Sequence, residues 1–227
     1  MRTPILYRAL SLSAAATLAL LAACAQAPTT PGAASAAEPQ LQLSPEERAT
    51  FFVHAARSGD LAETRKQLAA GAQLDGFDTL DQTALIAAVD HNQIEIIRFL
   101  LDKGANPNLG DHAGWTPLIH AAYFGANEEL LSLLIDRGAD VNGRNDRGVS
   151  ALYLAAAVGR EDQVRVLLKH GADPALASKA GYTPKQVAQM RGLERIVALL
   201  DGKEPPAGGV ISTPSAAPAA PVKPQGS

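Results

Sequence analysis

One stretch near the middle of the chain decides the fold: Gly114-Trp115-Thr116-Pro117-Leu118-Ile119-His120-Ala121-Ala122. Thr116 is typical of a helix N-cap, and Pro117 suits the first helical position, where its missing backbone N–H leaves no bond unmade. The alanine pair that follows has small side chains, so a neighbouring helix can approach closely. Gly125 favours a helix end in the left-handed conformation. The stretch therefore predicts a short, closely packed helix.

Two sets of markers repeat this pattern along the chain. Hydroxyl residues that start a helix are spaced 33, 34 and 33 residues apart, at Thr83, Thr116, Ser150 and Thr183. Glycines that end a second helix have the same spacing, at Gly71, Gly104, Gly138 and Gly171. Such a period is typical of stacked supersecondary units, none of which can bury its apolar face alone.

These residues resemble the ankyrin repeat, whose consensus contains Gly-x-Thr-Pro-Leu-His-x-Ala-Ala and, later, Val-x-x-Leu-Leu-x-x-Gly-Ala-Asp. The later run is matched by Val164-Arg165-Val166-Leu167-Leu168-Lys169-His170-Gly171-Ala172-Asp173. The resemblance implies an all-α solenoid of stacked helix-turn-helix units with hairpin tips. We expect it to cover residues 44–201, as five repeats at 44–77, 78–111, 112–145, 146–178 and 179–201.

The two end units depart from the consensus in ways that suit capping repeats. The first begins with Ser44-Pro45-Glu46-Glu47, which predicts a capping box with proline at the first helical position. It has Thr64 and Gln67 where later units have aliphatic residues, which indicates a more polar outer face. The fifth unit ends at Leu200 without a closing Gly-Ala-Asp run.

Two inner units also depart from the pattern. Asp81 stands where the turn glycine of the second unit belongs, so we expect a less regular hairpin there. The third unit has one extra residue before Gly138, which predicts either a local bulge or a shifted cap.

Residues 1–23 are typical of an export signal. Arg2 and Arg8 form a short positive region, and an apolar run follows at residues 9–23. As a helix, that run spans about 22 Å, which is too short for a bilayer core of roughly 30 Å. The run Leu21-Ala22-Ala23-Cys24 resembles the lipobox of bacterial lipoproteins, and Cys24 is the only cysteine. The resemblance implies a lipid on Cys24 and, because Ala25 follows, an anchor in the outer membrane that faces the periplasm.

An ordinary secretory signal is the alternative interpretation of this N-terminus. Cleavage at Ala25-Gln26-Ala27 would place Pro28 directly after the cleaved bond, which signal peptidases disfavour. Residues 24–43 and 202–227 are rich in alanine and proline, which predicts a flexible tether and a disordered tail. For the tail we expect an inert extension. A polyproline-type docking segment stays open, but no pair of prolines is framed by aromatic or basic residues in a way that argues for it.

Composition narrows the function classes. The chain is 47% hydrophobic but only 4% aromatic, which favours packed helices over a β-sandwich. Its net charge is −3, and removal of Arg2 and Arg8 with the signal leaves 18 basic and 23 acidic residues, a net charge of −5. An acidic chain does not attract phosphate backbones, so we expect no nucleic-acid partner.

No sequence pattern predicts catalysis. The chain has no nucleophile elbow and no phosphate-binding glycine loop. His54 and His120 lie on helices that should be about 20 Å apart, too far to share a metal whose nitrogen ligands lie about 2 Å from the ion. His91 and His112 lie near turns and can approach each other, which leaves a metal-dependent enzyme as a minor alternative. We expect solvated surface histidines, and neither a cofactor nor a bound metal.

Residues that stacking does not require predict where a partner binds. By resemblance, ankyrin stacks bind proteins through the hairpin tips and the exposed, concave side of the first helices. Among the matching positions here, the twelve that we expect to contact a partner are Phe77, Leu80, Asp90, His91, Asp111, His112, Trp115, Tyr123, Phe124, Arg144, Arg147 and Tyr182. Trp and Tyr are favoured anchors in interfaces, although these aromatics can also simply cover their own unit.

The sequence as a whole predicts a monomeric, non-enzymatic interaction protein whose partner is another protein. It does not separate a scaffold from an inhibitor. A structural role in the envelope, in which the Pro/Ala-rich segments matter more than the repeats, is the main alternative. A lipid anchor would raise the concentration of the repeats near membrane-bound partners.

Overall fold

The computed structural model describes residues 43–203 of the chain. In this range ten α-helices follow one another in five pairs. They are α1 (Pro45–Ser58), α2 (Leu61–Ala69), α3 (Ala84–Asp90), α4 (Ile94–Asp102), α5 (Pro117–Phe124), α6 (Glu128–Asp136), α7 (Ala151–Val158), α8 (Glu161–Lys169), α9 (Pro184–Met190) and α10 (Glu194–Leu200). The expected all-α architecture is confirmed. The export signal, Cys24 and nearly all of both flanking segments lie outside the described residues.

Each helix pair forms one unit, numbered 1 to 5 in chain order. The first helices of the units (α1, α3, α5, α7 and α9) pack side by side in that order, and each packs against the second helix of its own unit. One continuous apolar core runs through the units from Phe52 to Leu199. This arrangement is the stacked solenoid that the repeated markers predict.

Alanine pairs allow the first helices to pack closely. Eight alanines at the helix contacts are no more than 3% exposed: Ala55, Ala56, Ala87, Ala88, Ala121, Ala122, Ala155 and Ala156. A larger side chain at such a site would push the helices apart, at a typical cost of about 1–3 kcal/mol. Leu85, Leu118 and Leu152 of the first helices are at most 2% exposed and pack into the same core.

Side-chain caps determine where the helices begin. The hydroxyls of four N-cap residues accept hydrogen bonds from the backbone N–H three residues later, at 3.2 to 3.4 Å; they are Thr83, Thr116, Ser150 and Thr183. Replacing such a cap with alanine typically costs about 1 kcal/mol. Ser44 and Glu47 form the predicted capping box, and Gly125 ends α5 in the predicted left-handed conformation, with φ 85°.

The hairpin tips share one geometry, so the expectation of a less regular second hairpin is wrong. In the second unit the N–H of Asp78 donates to the carbonyl of Gln82 at 3.0 Å, and the other three tips have the same bond at 2.9 to 3.1 Å. Asp81 has φ 57°, the left-handed conformation that glycines adopt in the other tips. Aspartate tolerates this conformation better than most residues because its short polar side chain can bond locally.

The extra residue of unit 3 is Ala126, in the loop between α5 and α6. In unit 4 the glycine that ends α7 is followed at once by the N-cap Arg160. In unit 3, Ala126 separates Gly125 from the N-cap Asn127, whose side chain accepts a bond from the N–H of Leu130 at 2.9 Å. Of the two predicted outcomes, the shifted cap is therefore the one observed.

The polar outer face expected of unit 1 does not include Thr64. This residue is 0% exposed, and its hydroxyl donates to the backbone carbonyl of Asp60 at 2.6 Å. Because that bond satisfies the hydroxyl within its own helix, the rest of the side chain can pack as valine would. Gln67 is half-buried and donates to Glu63 at 2.6 Å.

Candidate interaction surface

The first helices present one strip of side chains next to the hairpin tips. We call this strip the first-helix face and define it by residues at or just after the C-terminal ends of the first helices and by those that directly precede the N-caps of α3, α5, α7 and α9. The first set is Arg57, Ser58, Asp90, His91, Tyr123, Phe124, Ala157, Val158 and, at the position equivalent to Tyr123 in unit 5, Met190. The second set is Gln82, Trp115, Val149 and Tyr182.

Unit 3 concentrates aromatic rings on this face. Trp115 and Tyr123 meet edge to face with their ring centroids 5.4 Å apart, and Tyr123 meets Phe124 in the same way at 5.1 Å. Tyr123 is 48% exposed and Phe124 is 54% exposed, so both rings remain open to contact. Edge-to-face contacts orient the rings and contribute about 0.5–1.5 kcal/mol beyond their buried area. We call these three residues the aromatic cluster.

His120 supports the aromatic cluster, and its expected place on the solvated surface is wrong. The residue is only 7% exposed, and its ring stacks on Phe124 with centroids 6.1 Å apart. Nδ1 lies 2.8 Å from the carboxylate of Asp90, and Nε2 lies 3.3 Å from that of Asp111. Because carboxylates only accept hydrogen bonds, the imidazole satisfies both of them when both of its nitrogens carry hydrogen.

A chain of polar contacts links His120 to units 1 and 2. The guanidinium of Arg57 donates to Asp78 at 2.9 Å and to Gln82 at 2.8 Å, and Gln82 donates to Asp90 at 3.0 Å. The side chains of Asp78 and Asp90 are only 3% and 8% exposed. Charge-assisted bonds that are shielded from water are stronger than exposed ones. These linked polar contacts therefore hold the first helices of units 1, 2 and 3 in a fixed alignment along the first-helix face.

The twelve predicted contact residues fall into three groups. Asp90 and Asp111 belong to the polar contacts around His120, and the aromatic cluster supplies three more. The remaining seven are exposed: Phe77, Leu80, His91, His112, Arg144, Arg147 and Tyr182. Whether any of them contacts a partner stays a prediction.

Two exposed apolar residues of the face were absent from those twelve. Val158 is 40% exposed and Met190 is 61% exposed. The repeat period was the available signal, because Val158 aligns with Phe124 and Met190 aligns with Tyr123. Met190 was missed because unit 5 has no second alanine to mark the position.

The described residues contain no candidate metal centre. Within residues 43–203, no group of three or more His, Cys, Asp or Glu side chains could hold a metal ion. Nδ1 of His91 instead lies 3.0 Å from the backbone carbonyl of Ala87. In the same range, no helix has both the length and the apolar character needed to cross a membrane.

Known proteins are similar to this chain through its repeats. A family model described as ankyrin repeats (3 copies) matches residues 19–111, 52–145, 104–178 and 125–205. Human transient receptor potential cation channel subfamily A member 1 is 32% identical over 155 residues, and human 2-5A-dependent ribonuclease is 32% identical over 113 residues. These matches cover 66% and 49% of this chain but only 14% and 11% of the two human proteins.

A bacterial relative is matched over most of its length. The putative ankyrin repeat protein YahD of Escherichia coli (strain K12) is 30% identical over 187 residues, which cover 66% of this chain and 93% of that protein. The similarity to the human proteins is thus confined to a small part of each, whereas YahD shares nearly its whole length.

Proposed function

Because the chain belongs to the ankyrin-repeat family, we propose that it is a non-enzymatic interaction protein, held in a bacterial envelope, whose protein partner binds the first-helix face. Ankyrin repeats form protein–protein interaction modules, and their apolar residues are largely used in stacking. The side chains that stacking leaves exposed are those that a partner can contact.

The aromatic cluster is the observation that supports this binding site best. Tyr123 and Phe124 are about half-exposed in the middle unit, yet their rings are oriented by each other and by the buried His120. Trp and Tyr are enriched among interface hot spots, which lie near the centre of an interface. Side chains that are already ordered lose little conformational entropy on binding, which favours affinity.

Attachment to the envelope is supported by the N-terminal sequence. The single thiol, Cys24, directly follows an apolar run that has a short positive region before it. Mass spectrometry of the N-terminus of protein purified from membranes tests this part. A mature chain that begins at a lipid-modified Cys24 supports the anchor, and one that begins at Pro28 without lipid replaces it with ordinary secretion.

The binding site is tested with three forms of the full chain: native, W115A/Y123A/F124A and F51A. Phe51 is a matched control, because it is 50% exposed on α1 but lies where unit 3 has Pro117, outside the first-helix face. Cross-linking in cells, followed by purification of each form, identifies bound proteins. A hot-spot residue typically contributes about 2 kcal/mol, roughly a thirtyfold change in affinity.

A partner recovered with the native and F51A chains but not with the triple variant identifies the aromatic cluster as its site. Equal recovery by all three forms would move the site elsewhere on the repeats. Recovery of no protein by any form would favour the structural role in the envelope. Circular dichroism of the triple variant shows whether its helices remain folded.

A further inference from the structure

An apolar path runs along the first-helix face from unit 3 to unit 5. Phe124 and Val158 hold equivalent positions in α5 and α7, and Met190 in α9 holds the position of Tyr123 in α5. These four side chains are 40% to 61% exposed. Packed helices lie about 10 Å apart, so the exposed apolar groups recur at roughly that interval. In unit 2 the same position holds Asp90, so the path ends beside charged residues.

The sequence beyond the described residues has prolines at a matching interval. Pro218, Pro221 and Pro224 follow one another at three-residue spacing. A polyproline II helix has three residues per turn and rises about 3.1 Å per residue, so prolines with this spacing lie on one side, about 9.3 Å apart. That interval is close to the spacing of the stacked helices of about 10 Å. One segment in this conformation can therefore present one proline to each of three consecutive units.

We propose that residues 214–224 bind the first-helix face of their own chain as a polyproline II segment. Pro218 contacts the Met190 region, Pro221 contacts Val158, and Pro224 contacts the aromatic cluster. Surfaces lined by aromatic side chains are common binding sites for proline-rich segments, because the preformed helix loses little entropy on binding. The inference shares this face with the proposed function but requires no partner protein.

Charge favours this direction of the segment over the reverse one. Lys223 is the only basic residue in residues 204–227, and it directly precedes Pro224. With Pro224 on the aromatic cluster, Lys223 is next to the hairpin tip of unit 3, where the carboxylate of Asp111 is 23% exposed. The reverse direction would bring Lys223 to unit 5, beside the exposed Arg191. Attraction in the first case and repulsion in the second select one alignment.

The connecting sequence is long enough for the segment to reach the face. Residues 204–217 separate Lys203, the last described residue, from Pro218. Fully extended, these 14 residues span about 46 Å, several times the helix diameter of about 10 Å. The segment can therefore pass from the end of α10 to the first-helix face of unit 5.

Covalent attachment makes even weak binding effective. A segment linked by a short flexible connection has an effective concentration on the order of 1 mM, so a dissociation constant on the order of 0.1 mM leaves the face about 90% covered. A partner that needs the same face must displace the segment, which would weaken its apparent affinity about tenfold. The C-terminal segment would thus act as an internal competitor of the partner.

Trp115 provides a direct readout, because it is the only tryptophan of the chain and belongs to the aromatic cluster. Acrylamide quenching of its fluorescence is measured on the purified full chain, on P218A/P221A/P224A and on P205A/P206A. The last form is a matched control, because it loses two prolines of the connecting sequence, outside the proposed segment and its three-residue series. All substitutions lie beyond residue 203, so the amino-acid sequence of the described repeat domain is unchanged.

We expect acrylamide to quench Trp115 with a higher quenching constant in the triple variant and with the native value in the control. A peptide of residues 213–227, added to the triple variant, should restore the native value, and the same peptide with three alanines should not. Equal quenching of all three chains would overturn the proposal, as would equal loss of protection in the control. Protection that falls on dilution would assign the face to a second copy instead. No partner is present, so failure here leaves the proposed partner site untouched.

Discussion

Gln163 in α8 donates a hydrogen bond from Nε2 to the backbone carbonyl of Ala126, at 2.8 Å, and so joins unit 4 to the extra residue of unit 3. Gln163 is 4% exposed and takes a core position that holds Ile96 in α4 and Ile196 in α10. The NH2 group of a buried amide needs an acceptor, and the longer loop of unit 3 supplies the Ala126 carbonyl for it, while Oε1 of Gln163 has no hydrogen-bond partner among the described residues. The extra residue and the glutamine therefore depend on each other.

Deletion of Ala126 and the substitution Gln163→Leu should be energetically coupled. In the native loop, the leucine leaves the partly buried Ala126 carbonyl without its donor, and an unpaired carbonyl costs up to about 1–3 kcal/mol when it is fully buried. When Ala126 is deleted this cost is absent, so Gln163→Leu should be more favourable for the free energy of unfolding, by about 1–2 kcal/mol, than it is in the native loop. Urea unfolding of the native chain, both single variants and the double variant measures the coupling. Ala126→Gly is the control, because it keeps the backbone carbonyl and should leave the effect of Gln163→Leu unchanged. If the effects of the deletion and of Gln163→Leu on stability simply add in the double variant, the prediction is wrong.

Much of the fold could be predicted from the sequence because its determinants are local. A cap such as Thr83 bonds a backbone N–H only three residues away, and a buried alanine lies five residues after each of the four caps, at Ala88, Ala121, Ala155 and Ala188. Thr64 shows where such reasoning stops. Its burial depends on how far the neighbouring unit covers α2, and no residue near it in the chain encodes that distance.

The candidate surface could be predicted only in part. The repeat period placed Trp115, Tyr123 and Phe124 on one face, and the structure brings their rings together. The bond between Asp90 and His120 joins residues 30 positions apart in neighbouring units. The period indicates that their helices are neighbours, but it does not contain the rotation of each helix, which decides whether two side chains meet.

Asp81 should be replaceable by glycine without loss of stability, because its φ of 57° lies in the region that glycine adopts freely. Asp81→Gly should leave the free energy of unfolding unchanged or raise it by up to about 1 kcal/mol, and Asp81→Val should lower it by about 1–2 kcal/mol. Thermal unfolding followed by circular dichroism measures both. Gly148→Asp is the contrasting variant and should be more destabilising, since a Cβ there would lie 2.8 Å from the backbone N of Lys179. Equal melting temperatures for the glycine and valine variants would show that the turn does not need this conformation.

The capping box of α1 should make a pH-dependent contribution to stability. The backbone N–H of Ser44, 2.8 Å from the Glu47 carboxylate, and then the Ser44 hydroxyl hold the pKa of Glu47 below its usual value of 4.5. A group whose pKa is lower in the folded state stabilises the fold above its unfolded pKa, and that contribution is lost as the pH falls through the folded pKa. The difference in stability between native protein and Glu47→Gln should therefore be present at neutral pH and shrink below about pH 4.5.

Thr183 and Gln186 provide the control for this titration, because they form the same kind of capping box with an uncharged side chain. The effect of Gln186→Ala should not change over the same pH range. An NMR titration of the Glu47 carboxyl measures its pKa directly, and a value at or above 4.5 would contradict the prediction.

The substitution His120→Leu should have two effects: it should lower the free energy of unfolding, and it should disturb the packing of the aromatic cluster. Leucine holds the equivalent position in unit 4, as Leu154. At position 120 it leaves the carboxylates of Asp90 and Asp111 without their imidazole donor. The expected loss is about 1–3 kcal/mol. Because the imidazole also stacks on Phe124, Trp115 fluorescence should change in the folded variant, which loss of stability alone would not cause. The decisive measurement is a double-mutant cycle, in which the free energy of unfolding is measured for the native protein, His120→Leu, Asp90→Asn and the double variant. We expect a coupling energy of about 1–2 kcal/mol between the two substitutions. Independent effects would show that the contact does not align units 2 and 3.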